Sequence, residues 1–234
     1  MPMQYRENMN IKKRHLEIIL DNLKPHPNPK SHLEQYTIGG NLASEILFFA
    51  KEDILNNFVI DLGCGTGKLA VGAKILGAKK VLGVDIDRET VKFAEKNVKE
   101  ITYSDIFNKL NLNIDLDDFI DNTIFLQEDV KNIDKSLINK YKPDERSKNI
   151  IIQNPPFGSQ KKYADRIFLN KALEIGDIVY TIHNTSTREF IINYIKEKER
   201  IITNIFQAKF RIPQIYSFHK KKYMMIPVDI YRIE

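Results

Sequence analysis

The chain of 234 residues holds a single cysteine, Cys64, and only five histidines, scattered at 15, 26, 32, 183 and 219. One thiol cannot close an internal disulfide, and neither it nor the histidines stand at a metal-ligand spacing, so no disulfide framework and no resident metal are expected. Also absent is any run of about 18 uncharged apolar residues, the length a membrane-spanning helix needs. The first twenty residues, MPMQYRENMNIKKRHLEIIL, alternate charge with apolar side chains and contain no secretory h-region, which points to the cytoplasm and away from a membrane. Internal repeats and low-complexity tracts are lacking. With 42% hydrophobic and 29% charged residues, the composition is that of an ordinary folded protein and excludes collagen-like, mucin-like or disordered chains. The length suits one domain over residues 1–234 with a helical extension at about 1–30.

Charge is present but uneven. Residues 188–222 carry nine lysines or arginines against three glutamates, a local +6 in a chain whose net charge is +5. Such asymmetry points to a polyanionic partner near the C-terminal third; a solvated basic face is the alternative that charge alone leaves equally open.

Hydrophobic periodicity predicts a helix from about Asn10 to Leu23, with Leu16, Ile19, Leu20 and Leu23 on one stripe, ended by Pro25, Pro27 and Pro29. Ser31 and Glu34 stand at capping-box spacing, and Gly39-Gly40-Asn41 breaks the chain before an apolar helix near Leu42 to Ala50. Short β-branched or apolar runs follow at about 57–61, 80–85, 122–127, 148–152, 177–182, 201–210 and 223–232. Helical stretches such as Lys68 to Leu76 and Arg88 to Val98 separate most of the first five, which implies right-handed βαβ crossovers and a mainly parallel sheet. No helix separates the last two, so they should pair as an antiparallel hairpin at one end of the sheet. The Asp- and Asn-rich stretch 102–121 reads as irregular. The result is an α/β fold with a seven-stranded, mostly parallel sheet and a terminal antiparallel hairpin, the Rossmann-like outline of class I S-adenosylmethionine-dependent methyltransferases.

Asp61-Leu62-Gly63-Cys64-Gly65-Thr66-Gly67 follows the first strand and opens a helix. Glycines there let the backbone approach a ligand held at the helix N-terminus. The spacing is G-x-G-x-G, whereas a dinucleotide fold normally shows G-x-G-x-x-G with a pyrophosphate over the helix. S-adenosylmethionine has no phosphate; its amino-acid end suits this loop, with Asp61 near the ammonium. Asp85 ends the second strand, where a carboxylate can accept both ribose hydroxyls. Asp129 and Val130 follow the third, placed for the adenine amine and ring. Each acid alone could be an ordinary helix cap; the ordered set at three successive strand ends marks a methyl-donor site.

After the fourth strand stands Asn154-Pro155-Pro156-Phe157-Gly158. The prolines fix φ and remove donors, leaving rigid carbonyls. The Asn154 oxygen and the Pro155 carbonyl can each accept a hydrogen from one NH2 group while Phe157 offers a stacking face. An aniline-like or amide nitrogen is a poor nucleophile, and holding both hydrogens directs its lone pair at the methyl carbon, so positioning and electrostatics carry the catalysis. Adenine, guanine or cytosine amines and the glutamine side-chain amide all fit. Lys209, Arg211, Lys220, Lys221 and Lys222 are interleaved with Phe206, Phe210, Tyr216, Phe218 and Tyr223, the mix that binds phosphates and unstacked bases, although some of these aromatics must fill the strand core instead. His183 and His219 read as locally bonded histidines.

Leu33-Glu34-Gln35-Tyr36, Ser186-Thr187-Arg188-Glu189 and Phe218-His219-Lys220-Lys221-Lys222, in that order together with the Gly63 loop, Gly83-Val84-Asp85-Ile86-Asp87 and the Asn154 loop, closely resemble the methyltransferase-like protein 5 family of ribosomal RNA adenine-N6 methyltransferases, from about residue 31 to the C-terminus. This chain has Thr37-Ile38 where the family tends to have Pro-Thr. The resemblance implies methylation of the N6 of one adenosine in small-subunit ribosomal RNA. It puts Gln35 in a lid with Tyr36, Thr37 and Ile38 over the methionine end of the cofactor, and Gly63, Gly65, Thr66, Asp85, Ile86, Asp129, Val130 and Asn154 around the rest. It also implies a small zinc-binding activator subunit that adds a strand to a sheet edge. A glutamine-N5 methyltransferase acting on a release factor, or a scaffold that binds RNA without catalysis, are the rival readings.

Overall fold

A computed structural model of the protein describes residues 11–157, 164–213 and 223–234. Helix α1 (Lys13–Asn22) buries Leu16, Ile19 and Leu20 against α2 (Gly40–Ile54), so this helix of the N-terminal extension is built into the core. A third helix, α3 (Lys68–Ile75), joins this layer. Its approach is close because Gly72 has no side chain: a Cβ there would stand 2.2 Å from Leu47 Cδ1.

The strands are β1 (Phe58–Leu62), β2 (Lys80–Asp85), β3 (Thr123–Gln127), β4 (Asn149–Gln153), β5 (Ile178–Asn184), β6 (Ile202–Pro213) and β7 (Tyr223–Ile233). They form one sheet in the order β3-β2-β1-β4-β5-β7-β6. The first five are parallel, and β7 lies antiparallel between β5 and β6. Both faces are covered, which is why these strands read as nearly continuous apolar runs. In β1, Val59 faces the layer of α1, α2, α3 and α4 (Arg88–Thr102), while Phe58, Ile60 and Leu62 face that of α8 (Ala164–Ile175) and α9 (Arg188–Glu197). From β1 the chain winds outward to β2 and β3, then crosses to β4 on the other side. Register pairs Leu62 with Gln153, so the turns that follow β1 and β4 emerge side by side at the point where ligands bind in open α/β sheets.

Two readings of the sequence need correction. The stretch 102–121 holds two short helices, α5 (Ile106–Lys109) and α6 (Leu116–Asp121), pinned by buried Phe107 and Phe119, whose rings meet edge to face at 5.8 Å. Its many Asp and Asn residues hide an apolar anchor of two side chains. Ser31–Leu33 makes only a single 3-10 turn, and Glu34 turns out of it at φ +51°, so the capping box is not built; the next helix starts at Gly40, inside the expected break. Among the described residues no helix is long and apolar enough to cross a membrane. The seventh helix, α7 (Lys135–Tyr141), is capped by Asp134.

The Ser186–Glu189 segment has a structural explanation. Asn184 ends β5 and caps the turn over Thr185–Thr187, and Arg188 at the start of α9 then grips Asp229 of β7 through Nε at 2.8 Å and Nη2 at 2.7 Å. Asp229 is fully buried and also accepts from Thr185. Its carboxyl lies below the usual range, since the Arg188 and Thr185 bonds outweigh burial. A lowered folded pKa contributes stability above the unfolded value, about 4, that is lost as pH falls through the folded one. Arg188→Ala should therefore lower the urea unfolding midpoint at pH 7, and its gap from the wild type should close in titrations taken below about pH 4.

Candidate active site

The loop after β1 folds back on the sheet: the Gly63 and Cys64 N–H groups both donate to the Val84 carbonyl, at 2.8 and 3.0 Å. Gly63, Gly65 and Gly67 take φ of +72°, +54° and +87°, in the left-handed region that glycine enters without steric cost. At Gly63 the requirement is double, because a Cβ would sit 3.0 Å from the Phe168 ring of α8. Beneath this loop lies a cavity of about 250 Å³.

Three carboxylates line it in the expected order. Asp61 is 1% exposed; its Oδ2 accepts the Ala70 N–H at 3.0 Å, and its Oδ1 is buried with no partner. Burial, aided by the nearby Asp85 charge, pushes its pKa up to about 8. Asp85 accepts from the Gly65 N–H at 3.0 Å and the Asp87 N–H at 2.9 Å, and burial raises its pKa despite both bonds. Asp129 does act as a cap, taking the Lys131 N–H of a one-turn helix over Val130–Asn132. It still lines the cavity, together with buried Val130 and the half-exposed Ile86.

A strap before α2 closes one side. Gln35, Tyr36, Thr37 and Ile38 all line the cavity. The Gln35 amide, however, is used within the protein: Nε2 donates to Asp87 at 2.9 Å and to Thr90 at 3.1 Å, and Oε1 accepts the Lys30 N–H at 2.7 Å. Gln35 thus fastens the strap to the start of α4. Lys30 Nζ pairs with Asp87 at 2.9 Å and Glu89 at 3.6 Å. His26, Asp87 and Glu89 gather close enough to suggest metal ligands, but the Lys30 ammonium already supplies these acids with a cation.

Asn154, Pro155, Pro156 and Phe157 line the same cavity from the β4 side, and Asn154 Oδ1 is buried without a partner. Before it, Gln153 Nε2 donates to Thr181 Oγ1 at 2.9 Å, and that hydroxyl lies 2.9 Å from His183 Nε2. Burial lowers the His183 pKa to about 4, so its ring is a neutral internal partner, as read from the sequence. Phe157 meets Phe210 edge to face at 5.7 Å. Phe210 is therefore a buried cavity wall, one of the interleaved aromatics that fill the interior in place of the surface.

Lys209 and Arg211 are exposed on β6, the latter 4.3 Å above the Tyr223 ring, and neither lines the cavity. Lys220, Lys221 and Lys222, with Tyr216, Phe218 and His219, lie outside the described residues. Four contributors were missed from sequence. Phe168 packs on Gly63; Asn97 in α4 ties Lys24 to the Thr66 carbonyl; His26 and Lys68 line the cavity. Only Asn97 left a signal, as an amide beside the apolar stripe of Val91, Ala94, Val98 and Ile101.

The site fits S-adenosylmethionine on its own chemistry: an orphaned carboxylate oxygen for an ammonium, an acid at the end of β2 for a diol, and an apolar pair, Ile86 and Val130, around a purine. Burial raises the Asp61 pKa to about 8, so its carboxyl would have to release a proton to hold an ammonium near neutral pH. Calorimetry of S-adenosylhomocysteine in buffers of different ionisation enthalpy should find net proton release on binding at pH 7, with affinity rising as the pH increases toward about 8. Asp61→Asn should abolish the proton release.

Comparison with known proteins agrees. The profile of the Ribosomal protein L11 methyltransferase (PrmA) family matches residues 48–130, the part that carries the glycine loop and the three acids. An uncharacterized protein of Methanocaldococcus jannaschii is 55% identical over 96% of this chain and 94% of its own. A crystal structure of a candidate RNA methyltransferase from Pyrococcus horikoshii superposes with a TM-score of 0.76 at 38% identity, covering 96% of this chain and 98% of that one. The rRNA N(6)-adenosine-methyltransferase METTL5 of Danio rerio is 32% identical over 95% of this chain and 98% of its own. With such identity along nearly the full length of both chains, this protein belongs to the family of the METTL5 rRNA N(6)-adenosine-methyltransferases.

Proposed function

We propose that this protein, acting in the cytoplasm, transfers the methyl group of S-adenosylmethionine to the N6 amine of one adenosine in small-subunit ribosomal RNA. The observation that carries the reading is the buried, unpartnered Asn154 Oδ1 on the wall of the cofactor cavity. A buried acceptor without a donor is costly, and an incoming amino group relieves that cost while being oriented by it. The bound cofactor would supply an electrophilic methyl group. Asn154 Oδ1 and the Pro155 carbonyl hold the two N6 hydrogens, Phe157 stacks on the extruded base, and Phe210 braces Phe157. Lys209 and Arg211, with Lys220 to Lys222, hold phosphates and carry no base identity.

The test is to incubate the protein with labelled cofactor and ribosomal RNA lacking the modification, then to identify the product nucleoside by mass spectrometry. N6-methyladenosine at a single position is expected; label on a release-factor glutamine, with none in RNA, would overturn the proposal. Asn154→Ala should slow transfer on the order of a hundredfold while cofactor affinity changes by less than about twofold.

The proposal includes a small zinc-binding activator subunit. The sheet ends at β3 and β6, and an edge strand can accept a strand from another chain. Gel filtration of the two proteins co-expressed should show a one-to-one complex, and separate elution at micromolar concentration with full activity of the isolated chain would count against it.

A further inference from the structure

Lys68 is the first residue of α3 and a wall of the cofactor cavity, yet it is only 8% exposed. Its ionic contact is weak: Asp21 Oδ1 lies 3.8 Å away, beyond hydrogen-bond distance, and that oxygen already accepts the Gly40 N–H at 2.9 Å. The Asp21 side chain is also 57% exposed, so water screens the pair. Burial accordingly lowers the Lys68 pKa, with Asp21 offsetting it only in part. Among the described lining residues, Lys68 is the one lysine or arginine that is buried; Lys131 is exposed. The acidic side chains Asp61, Asp85 and Asp129 lie on the same wall.

S-adenosylmethionine carries a single anionic group, the carboxylate on the carbon that bears its ammonium. Asp61, just ahead of the glycine loop, has the free oxygen for the ammonium, and Lys68 stands at the far end of that loop, on the positive end of an eight-residue helix whose cap, Gly67, makes no side-chain bond. We infer that Lys68 binds the methionine carboxylate of the cofactor and selects ligands that retain an intact amino-acid end. The inference rests on the reading of this cavity as an S-adenosylmethionine site. A charge-assisted bond from a desolvated ammonium supplies the anion that the fold leaves out.

Two ligands separate this role from loop support: S-adenosylhomocysteine, which has the carboxylate, and 5′-methylthioadenosine, which lacks the amino-acid end. Calorimetry on the full chain should show Lys68→Met weakening S-adenosylhomocysteine by about tenfold or more, the scale of a hydrogen bond to a charged group, with 5′-methylthioadenosine within about twofold of wild type. Lys68→Arg should recover most of the loss, and retained 5′-methylthioadenosine binding reports an intact fold. Equal weakening of both ligands, or no change in either, overturns the inference. If the wild-type protein binds neither nucleoside, the cofactor reading itself fails and this assignment with it.

Discussion

The parallel pairing of β1 with β4 is the constraint on which the site depends. It places Leu62 beside Gln153, and with them the turn that carries Gly63 beside the turn that carries Asn154. Both turns line one cavity, although they are about ninety residues apart in the chain; on the proposed function one addresses the cofactor and the other the acceptor amine. The reacting atoms must lie within a few ångströms and in line, and a rigid sheet covered on both faces by helices maintains that alignment better than mobile loops. The fully buried Val59, Ile60, Ile151 and Ile152 form the apolar frame beneath it.

That frame tolerates an electrostatic arrangement that is unfavourable on its own. Asp61 sits almost wholly buried with one oxygen unpartnered, Asp85 is raised by burial, and Lys68 is a largely dehydrated cation whose ionic contact, Asp21, stands 3.8 Å away and is itself exposed. Each becomes reasonable when a zwitterionic ligand with a diol occupies the cavity. On the proposed function, binding of such a ligand would add to the stability of the folded chain.

The N-terminal segment is where the fold and the site meet. Asn97 joins Lys24 to the loop carbonyl of Thr66, and Gln35 with Lys30 locks the strap onto Asp87 and Thr90 at the start of α4. A region that could be taken as an appendage thus closes the cofactor cavity, anchored on one side by α1 in the core and on the other by side-chain hydrogen bonds. Nearby, the Arg188 grip on buried Asp229 attaches α9 to the terminal hairpin, so a segment that identifies the family turns out to serve packing more than chemistry.

Local pattern alone determined the seven strands to within a few residues, the parallel sheet with its terminal hairpin, the glycine loop, the acids at three strand ends and the Asn154 loop. These follow from period-two burial, βαβ connection rules and backbone conformations that only certain residues adopt, all of which act over a few neighbours. Tertiary structure decided what depends on residues far apart in the chain. Which of the interleaved aromatics face inward was open in the sequence; pairing with β7 and the Phe157 ring put Phe210 in the cavity wall. Gln35 lines the cavity as the lid reading has it, and only the tertiary structure shows its amide bonded to Asp87 and Thr90 as well. Ser31 and Glu34 had the spacing of a helix cap, but the chain leaves the turn at Glu34 before a helix can form. Lys68 and Asp61 carried no sign of being dehydrated, because desolvation is a property of the assembled surroundings and not of any residue or its neighbours in sequence.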